Sequence, residues 1–439
     1  MVQDDVPAGG LATMGDPALD RRLRFGRSAS AVVLVWSAVS VVLLVTTIHP
    51  RAPRGILEGG TDLDAYREGA WHMVAGLPLY DEPLIGNHLY TYPPFSTLTF
   101  LPLDQLPEES DKHIWMAANV VLLIVVVAQC WKMLGYRITP YLVCISALLA
   151  FACMFLEPVR STLYYGQINL VLMLLVLWDT SRGEGSRLKG IGVGLAAGIK
   201  LTPGYFVLYY LALRQWRAAA VALATIAATV AVGWLVVPDE SRQYWTRTVF
   251  DSERIGHDLP HPSNQSLHGA IVRVAGVHPS DVNAPPPGAH PPTLIWPVAA
   301  ACIAAVSIWI AVRLYRGGER LLAVTATGLT AAVVSPFSWT HHWVWFVPLM
   351  VYTVHRAMTN GWWWLCAASL FVALGSWPYR FPSDTEPRIG LYMFPDKWVP
   401  WDVLVNLYIV IYAAVMIGAA VIAVRHAQTS DAGAAGPVG

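Results

Sequence analysis

The sequence predicts an all-α polytopic membrane protein with about twelve transmembrane helices. Hydrophobic residues make up 55% of the 439-residue chain and charged residues only 13%, whereas soluble domains carry roughly 25% charged residues. Apolar runs of about 17 to 25 residues recur along the chain, which is long enough to cross a bilayer as helices. Many of the 19 Trp residues lie near segment ends, as in the aromatic belts of membrane interfaces.

Composition and charge give no sign of a nucleic-acid, disulfide or metal site. Lys and Arg together number 29, as do Asp and Glu, so the formal net charge is zero. The five cysteines fall inside apolar segments, and none belongs to a CxxC pair or a Cys/His cluster. We therefore expect them to be small buried hydrophobic residues, and we expect no cofactor. They are Cys130, Cys144, Cys153, Cys302 and Cys366.

The apolar segments divide the chain into one membrane domain and two tails. The domain is predicted over residues 28–425, with a cytoplasmic N-terminal tail at 1–27 and a cytoplasmic C-terminal tail at 426–439. Several of the predicted spans are short, and their boundaries carry an error of several residues. The predicted spans are residues 29–48, 113–134, 138–156, 168–180, 190–199, 202–213, 218–236, 293–313, 320–335, 341–354, 361–377 and 402–424.

The distribution of Lys and Arg predicts which face is cytoplasmic. Four arginines within residues 21–27 precede the first span, and the short loops that the predicted topology places on the same face are also basic. Because basic residues collect on the cytoplasmic side, we expect the other face to lie outside the cytoplasm. That face holds three long loops, at residues 49–112, 237–292 and 378–401. Binding and catalytic residues are often on loops, so we expect function there.

A break between two short apolar segments indicates a site inside the membrane domain. Residues 190–199 and 202–213 are short for a full crossing, and they meet at Lys200 and Pro203. Irregular backbone at that depth is tolerated only where protein or a cavity surrounds it. Lys200 would place an ammonium group there, which suits a phosphate. The alternative is that Lys200 extends to the membrane interface, where water solvates its charge.

The first long loop contains a predicted amphipathic helix with an acidic start. Asp62 and Asp64 follow the pair Gly59–Gly60, and apolar residues then recur at helical spacing. A helix of this kind lies along a membrane surface. Either aspartate could cap the helix, or a carboxylate at the mouth of a membrane cavity could act as a general base on a hydroxyl. The apolar face consists of Tyr66, Ala70, Met73 and Val74.

Polar residues near other segment ends are further candidates for ligand binding. Tyr92 lies in an aromatic stretch with a Pro pair, which is either a rigid turn or a platform for sugar rings. Gln167 and Asn169 begin the fourth span, and their amides can hydrogen-bond a hydroxyl-rich ligand. We place Glu157 and Arg160 at the end of the third span and expect a structural pair.

The second long loop and the turn before the tenth span hold the remaining candidates. Arg254, His257 and Gln265 lie in the loop, and His341 and His342 lie in the turn. Two histidines could bind a metal, but no third ligand lies at helical spacing and no HExxH is present. We therefore expect the pair to contact phosphate or to orient a base.

Together these motifs resemble glycosyltransferase family 87, whose members have the GT-C membrane fold. Each motif is weak alone, but seven occur in the family's order over residues 30–420. Within the family, the chain resembles the α-1,2-mannosyltransferases of mycobacteria. The seven motifs are Asp62–Tyr66, Gly76–Tyr80, Tyr92–Pro94, Gly166–Asn169, Gly198–Pro203, Asn264–Leu267 and Ser335–Trp343.

The resemblance implies a donor, an acceptor and a reaction. The donor is polyprenyl-phosphate-mannose, and the acceptor is a mannose 2-hydroxyl on a glycolipid such as a phosphatidylinositol mannoside, used on the periplasmic side. The family's essential aspartate matches Asp62, whereas Asp64 falls at a variable position and ranks second. Asp62 is then expected to accept the proton as the 2-hydroxyl oxygen attacks the anomeric carbon with inversion.

The leaving phosphate needs positive charge beside it, which we assign to Lys200, Arg254 and one of His341 and His342. Phosphate is already an adequate leaving group, so no metal is expected. The bilayer and the two lipid-linked substrates are the expected partners. Further contacts to the substrates are assigned to His257, Asp64, Tyr66, Tyr92, Gln167, Asn169 and Gln265.

Other interpretations fit parts of the sequence. Broken helices with ionisable groups at depth also occur in secondary transporters, but the spans show no two-fold repeat and the long loops all lie on one face. A non-catalytic scaffold subunit would not need an acid at the start of the loop helix. Among enzymes, the acceptor could instead be a mannan branch of lipomannan or lipoarabinomannan. A related enzyme would use a polyprenyl-phosphate arabinofuranose or glucose.

Overall fold

The computed structural model describes most of the predicted membrane domain, including most residues of its three long loops. The described residues are 21–47, 56, 59–86, 88–107, 110–251, 254, 258–276, 295–381, 388–394 and 401–434. His257, both chain ends and parts of the three predicted outer loops lie outside these residues. Within them the chain is mostly helical, and Pro378–Tyr379 pairs with Arg388–Ile389 in a short antiparallel ladder.

Eighteen α-helices lie in the described part of the chain. They are α1 (Arg27–Thr47), α2 (Thr61–Ala75), α3 (Phe95–Asp104), α4 (Asp111–Met133), α5 (Pro140–Cys153), α6 (Glu157–Tyr165), α7 (Asn169–Thr180), α8 (Ile191–Ile199), α9 (Tyr205–Ala212), α10 (Trp216–Val236), α11 (Pro238–Thr246), α12 (Leu267–Val274), α13 (Ile295–Arg316), α14 (Arg320–Val334), α15 (Phe346–Ala357), α16 (Trp362–Leu374), α17 (Trp401–Val405) and α18 (Leu407–Ala434). A 3₁₀ turn at Thr340–Trp343, here named the histidine turn, connects α14 to α15. Each of the twelve segments predicted as spans contains a helix.

Five helices are long and apolar enough to cross a membrane among the residues that the structure describes: α1, α4, α10, α13 and α18. Helices α6 and α7 together reach that length, but the chain bends by 119° between them. Helices α5, α14 and α16 are apolar and shorter. Length and composition therefore support five or six crossings in a multi-pass membrane protein, and twelve crossings stay a prediction.

Helix α5 ends earlier than the sequence predicts. It stops at Cys153, and Glu157 begins the separate helix α6. Pro158 is in the first turn of α6, where a residue without a backbone N–H is well tolerated. Glu157 and Arg160 therefore lie at the start of a new helix, and their placement at the end of the third span is wrong.

Apolar side chains cover the outside of the long helices, as the hydrocarbon of a bilayer requires. Leu235 of α10, for example, is 83% exposed. The prediction of buried cysteines is wrong in part, because Cys130 and Cys153 are buried but Cys144 and Cys302 are exposed. A thiol behaves as a small hydrophobic group, so an exposed position on an apolar helix suits it as well as a core position.

The described parts of the first two long loops contact each other, and the second also contacts the segment before the histidine turn. Glu240 of the second loop accepts a hydrogen bond from a backbone N–H of the first loop at 3.1 Å. Arg254, also of the second loop, donates to the carbonyl of Tyr80 in the first loop at 2.7 Å. Asn264 forms an isolated β-bridge with Trp339, next to the histidine turn. Two of the three loops that the sequence predicts on one face are therefore in contact.

Helix α8 packs against α10 with almost no space between the two backbones. Gly190, Gly194 and Gly198 are spaced by four residues and form one face. A β-carbon at Gly194 would lie 2.4 Å from Cβ of Thr225, and one at Gly198 would lie 2.4 Å from Oγ1 of Thr229. Small residues allow this close approach, as in other membrane helix pairs. The contact therefore fixes the C-terminal end of α8, directly before Lys200.

Helix α2 occupies the position of the predicted loop helix and packs on α3. Its buried residues are Leu63, Tyr66, Gly69 and Ala70. The Tyr66 ring stacks on that of Phe100 with the centroids 4.2 Å apart. Val74, also on the predicted apolar face, is 66% exposed. The location of α2 along a membrane surface stays a prediction.

Candidate active site

Asp62 lies in the first turn of α2, directly after a glycine pair whose backbone conformation determines where the helix begins. Gly59 and Gly60 have φ values of 75° and 107°, a backbone conformation that other residues rarely adopt. A β-carbon at Gly59 would also lie 2.3 Å from the backbone oxygen of Tyr164, so the start of α2 is held against α6. Gly60 is the N-cap, without a side-chain cap, so neither aspartate has the capping role. Asp62 is partly buried, whereas Asp64 is exposed.

Gln167 connects two tyrosines to the Asp62 carboxylate. Its side-chain oxygen accepts hydrogen bonds from the hydroxyls of Tyr66 at 2.9 Å and Tyr92 at 3.3 Å. A glutamine amide accepts through its oxygen alone, so the NH₂ group donates in the hydrogen bond between Gln167 and Asp62. The two tyrosine hydroxyls are 2.8 Å apart, and all three side chains are buried. The tyrosines thus fix the orientation of the amide.

The bend between α6 and α7 brings Gln167 and Asn169 to the site. Gly166 follows α6 with a φ of 73°, and a β-carbon there would lie 2.7 Å from Cβ of Leu63 in α2. The indole N–H of Trp115 donates to the Gly166 carbonyl at 2.8 Å. A larger residue at this point would push α2 away from the bend, so close packing requires glycine.

Lys200 lies where the chain leaves α8, and its side chain points to polar partners. Nζ donates to Oδ1 of Asn169 at 3.2 Å and to Nε2 of His342 at 3.0 Å. It also lies 5.3 Å from the centroid of the Tyr92 ring, within the range of a cation–π contact. Described residues thus use two of the three N–H donors of the ammonium group, and the third can meet a ligand. The charge of Lys200 also acts on Asp62.

The histidine turn presents His342 to Lys200 and His341 to Tyr165. Because an ammonium group only donates, Nε2 of His342 accepts and the ring proton is on Nδ1. The His341 ring lies 5.8 Å from the Tyr165 ring, and its buried Nε2 has no hydrogen-bond partner among the described residues. The backbone carbonyl of His341 accepts from Nδ2 of Asn169 at 2.9 Å.

The surroundings of Asp62 make its carboxylate more basic than that of an exposed aspartate. Burial raises the pKa of the Asp62 carboxyl above its usual range. The hydrogen bond from Gln167 and the charge of Lys200 lower that pKa in part, because both favour the carboxylate.

An open cavity of about 420 Å³ lies next to Lys200. Its lining is largely apolar, with Phe206 and Trp345 among the residues, and its polar members are Asn169, Lys200, Thr202 and His342. Helices α7, α9 and α14 contribute to this lining together with the chain around the histidine turn. A cationic group in a largely apolar cavity suits a ligand that joins an anionic head to a hydrocarbon chain.

Three other predicted site residues, all of them described, are not part of this cluster. Asp64 is exposed. A fourth candidate, His257, lies outside the described residues. Arg254 donates to a carbonyl of the first loop at 2.7 Å, and no contact in the described chain joins it to Lys200. Gln265 is buried, and its amide is used in hydrogen bonds of 2.6, 2.8 and 3.1 Å to backbone groups. Within the described ranges, no group of three or more His, Cys, Asp or Glu could hold a metal ion.

Sequence reasoning missed a second polar cluster behind the histidine turn. Glu157 is buried there and accepts hydrogen bonds from the hydroxyls of Thr340, Tyr392 and Tyr408. An acid within an apolar stretch is the one available signal, and it indicates Glu157 alone. The two tyrosines lie in a loop and in an apolar helix, where nothing in the local pattern links them to Glu157. The exposed His88, whose charge acts on Asp62, also lacks a sequence signal.

Comparison with known proteins agrees with the motifs. Residues 90–336 match the model of glycosyltransferase family 87. A Mycolicibacterium smegmatis protein named polyprenol-phosphate-mannose-dependent alpha-(1-2)-phosphatidylinositol pentamannoside mannosyltransferase is 36% identical over 396 residues, which cover 87% of this chain and 90% of that protein. The Mycobacterium tuberculosis protein of the same name is 32% identical, over 86% of each chain.

A second kind of relative differs in the acceptor that its name gives. A Mycolicibacterium smegmatis polyprenol-phosphate-mannose-dependent alpha-(1-2)-phosphatidylinositol mannoside mannosyltransferase is 32% identical over 75% of this chain and 78% of its own length. No solved structure gives a match. The family match covers more than half of the chain, and these relatives align over most of it. The chain therefore belongs to glycosyltransferase family 87.

Proposed function

We propose that this chain is an inverting α-1,2-mannosyltransferase. It takes mannose from polyprenyl-phosphate-mannose and transfers it to a mannose 2-hydroxyl of a phosphatidylinositol mannoside. The reaction takes place on the periplasmic side of the plasma membrane. The names of the relatives support this donor and this class of acceptor.

One observation carries the proposal: Lys200 both acts on the Asp62 carboxylate and lines a largely apolar cavity. The charge of Lys200 lowers the pKa of Asp62. Lys200 and His342 are among the polar residues that line the cavity. A donor whose phosphate meets Lys200, and whose polyprenyl chain follows the walls, has its sugar next to Asp62.

Asp62 acts as the general base. As the acceptor 2-hydroxyl oxygen attacks the anomeric carbon, its proton passes to the Asp62 carboxylate. The new bond forms between that oxygen and the anomeric carbon, and the bond from the anomeric carbon to the phosphate oxygen breaks. One displacement converts a β-linked donor into an α-linked product. A positioned base of this kind contributes about 10² to 10⁴ in rate.

Lys200 and His342 stabilise the negative charge of the leaving phosphate. The third N–H of the Lys200 ammonium group and the Nδ1–H of His342 are the donors. Donors that are already positioned where charge develops stabilise a transition state without reorganisation. His341 has a different role, since its ring faces Tyr165 and its carbonyl accepts from Asn169. Arg254 remains bound to the first loop and does not meet the phosphate.

The acceptor class has one close alternative. A mannan branch of lipomannan or lipoarabinomannan also presents a mannose 2-hydroxyl, so the same base and phosphate site would serve it. The names of the relatives favour a phosphatidylinositol mannoside. Membership of a glycosyltransferase family argues against transport and against a scaffold subunit.

Transfer by the purified protein tests the proposal. Radiolabelled polyprenyl-phosphate-mannose is the donor, and tetramannosylated phosphatidylinositol and a mannan oligosaccharide are compared as acceptors, with EDTA present. We expect a labelled glycolipid that loses its label to an α-1,2-specific exomannosidase. Preference for the mannan would favour the alternative acceptor. Transfer from polyprenyl-phosphate-arabinose in place of the mannose donor, or no transfer at all, would contradict the proposal.

A further inference from the structure

Glu157 is a buried carboxylate whose two oxygens are surrounded by hydroxyl groups. The residue is 3% exposed. Its Oε1 accepts from Oγ1 of Thr340 and from Oη of Tyr392, each at 3.0 Å, and also from Ser161. Its Oε2 accepts from Oη of Tyr408 at 2.5 Å. A buried charge is tolerated only with such partners, so these hydroxyls are a dedicated environment for the carboxylate.

The hydroxyl donors come from four different parts of the fold. Ser161 belongs to α6, as Glu157 does, and Tyr408 belongs to α18. Tyr392 lies in the third outer loop, and Thr340 is the first residue of the histidine turn. Glu157 therefore joins the histidine turn to the third outer loop and to the last helix at a single point.

Two hydrogen bonds hold the histidine turn, one to a residue before the α6–α7 bend and one to a residue after it. Before the bend, Glu157 accepts from the side chain of Thr340 at 3.0 Å. After the bend, Asn169 donates to the backbone carbonyl of His341 at 2.9 Å. The next residue, His342, has its Nε2 3.0 Å from Nζ of Lys200. Because the whole turn is Thr340–Trp343, a shift at its first residue moves the His342 imidazole as well.

We propose that Glu157 is a positioning residue for the donor phosphate. It holds the histidine turn through Thr340 and so sets the position of His342 relative to Lys200, without touching the substrate itself. This inference rests on the proposed function, which places the donor phosphate at Lys200 and His342. Since Asp62 receives no contact from the histidine turn among the described residues, Glu157 affects donor binding and leaves acceptor binding unchanged.

Thr340→Val tests the proposal, with Ser161→Ala as a matched control. Each substitution removes one hydroxyl that donates to Oε1 of Glu157, but only Thr340 belongs to the turn. We expect Thr340→Val to raise the KM for donor about tenfold, the factor that one hydrogen bond is worth, with the KM for acceptor unchanged. Ser161→Ala should leave both KM values unchanged, and Thr340→Ser, which keeps the hydroxyl, should retain the wild-type KM for donor.

Binding of polyprenyl phosphate, the leaving group of the proposed reaction, gives a readout that does not require turnover. Its Kd, measured by titration of tryptophan fluorescence, should rise with Thr340→Val and stay unchanged with Ser161→Ala. Thermal unfolding of each variant in the same detergent separates a change in position from a loss of fold. If Thr340→Val does not fold, Thr340→Ala removes the same hydroxyl without adding a methyl group.

Three results would overturn the positioning role. In the first, Thr340→Val and Ser161→Ala change the KM for donor and the Kd for polyprenyl phosphate equally. In the second, Thr340→Val raises the KM for acceptor as much as the KM for donor. In the third, Thr340→Val binds polyprenyl phosphate with the Kd of wild type. Failure of the proposed function looks different, because wild-type protein would then bind polyprenyl phosphate and transfer no mannose. In that case the comparison of Kd values still tests Glu157.

Discussion

Asp62 and Asp64 occupy the same helical turn but have different surroundings. Two residues along a helix rotate the side chain by about 200°, so Asp64 is exposed while Asp62 is partly buried. Burial raises the pKa of Asp62, and Gln167 and Lys200 offset part of that effect. A general base works better as its pKa moves towards the working pH. Burial moves the pKa of Asp62 in that direction, and the other two contacts favour the ionised carboxylate.

The pH dependence of transfer should respond to Gln167 and Asp64 in opposite directions. Gln167→Leu removes a hydrogen bond that favours the carboxylate of Asp62, so its pKa rises further. Activity requires that carboxylate and is lost as the pH falls through its pKa, so the acid limb of the kcat/KM profile should move to higher pH. Asp64→Asn removes a negative charge that raises the same pKa, so the limb should move to lower pH. If the acid limb of the kcat/KM profile stays at the wild-type pH in both variants, the group that titrates there is not Asp62.

Removal of the Lys200 charge should weaken use of the donor. We expect Lys200→Gln to raise the KM for donor at least about tenfold, because a charge-assisted hydrogen bond to phosphate is lost. Lys189→Gln is the control, since Lys189 is also buried but donates to the carbonyl of Arg182 at 2.9 Å, away from the site. Initial rates over a range of donor concentrations measure both. Equal effects of the two substitutions would contradict the phosphate contact.

At the scale of elements, apolar length predicts where helices occur but not how the chain turns between them. The break at Lys200 is predictable, because Lys and Pro interrupt an apolar run. The α6–α7 bend is not, because it depends on Gly166 packing against Leu63, a residue far away in the sequence. The end of the third predicted span, at residue 156, lies beyond Cys153, where α5 ends, and directly before Glu157, where α6 begins.

The close packing of α8 on α10 should be sensitive to a single methyl group. Gly194→Ala places a β-carbon 2.4 Å from Cβ of Thr225, so the helices must separate, at a cost of about 1–3 kcal/mol. We expect a lower Tm in detergent and slower transfer. Gly418→Ala on α18 is the control, because nothing lies within 4 Å of the new β-carbon and Ala favours a helix over Gly. A Gly194→Ala protein with the Tm of wild type would show that the helices are free to move apart.

At the scale of the whole molecule, the site joins segments that are far apart in the sequence. Asp62, Lys200 and His342 are predictable as candidates, because charged or titratable groups beside apolar segments are unusual. Their proximity is not predictable from spacing, since it depends on how the helices pack. Arg254 and Gln265 carry the same kind of sequence signal, yet their hydrogen bonds hold loops together. The conformation of a long loop decides between these roles, and residue spacing does not encode it.

The predicted orientation places the Asp62 end of the molecule outside the cytoplasm. Asp64 and Arg187 are both exposed, and the distribution of basic residues puts them on opposite faces. In a chain without its native cysteines, a membrane-impermeant maleimide applied to spheroplasts should label Asp64→Cys and leave Arg187→Cys unlabelled until the cells are lysed. Labelling of Arg187→Cys before lysis would reverse the orientation and remove the periplasmic site.

The most direct test of Asp62 as the base compares Asp62→Asn with Asp64→Asn in the mannosyl-transfer assay. Both substitutions remove one carboxylate from the same helical turn. Asp62→Asn should lower kcat about 10³-fold and still bind polyprenyl phosphate with the Kd of wild type, whereas Asp64→Asn should keep a kcat near that of wild type. Near-normal turnover by Asp62→Asn would contradict the assignment of the base and, with it, the proposed mechanism.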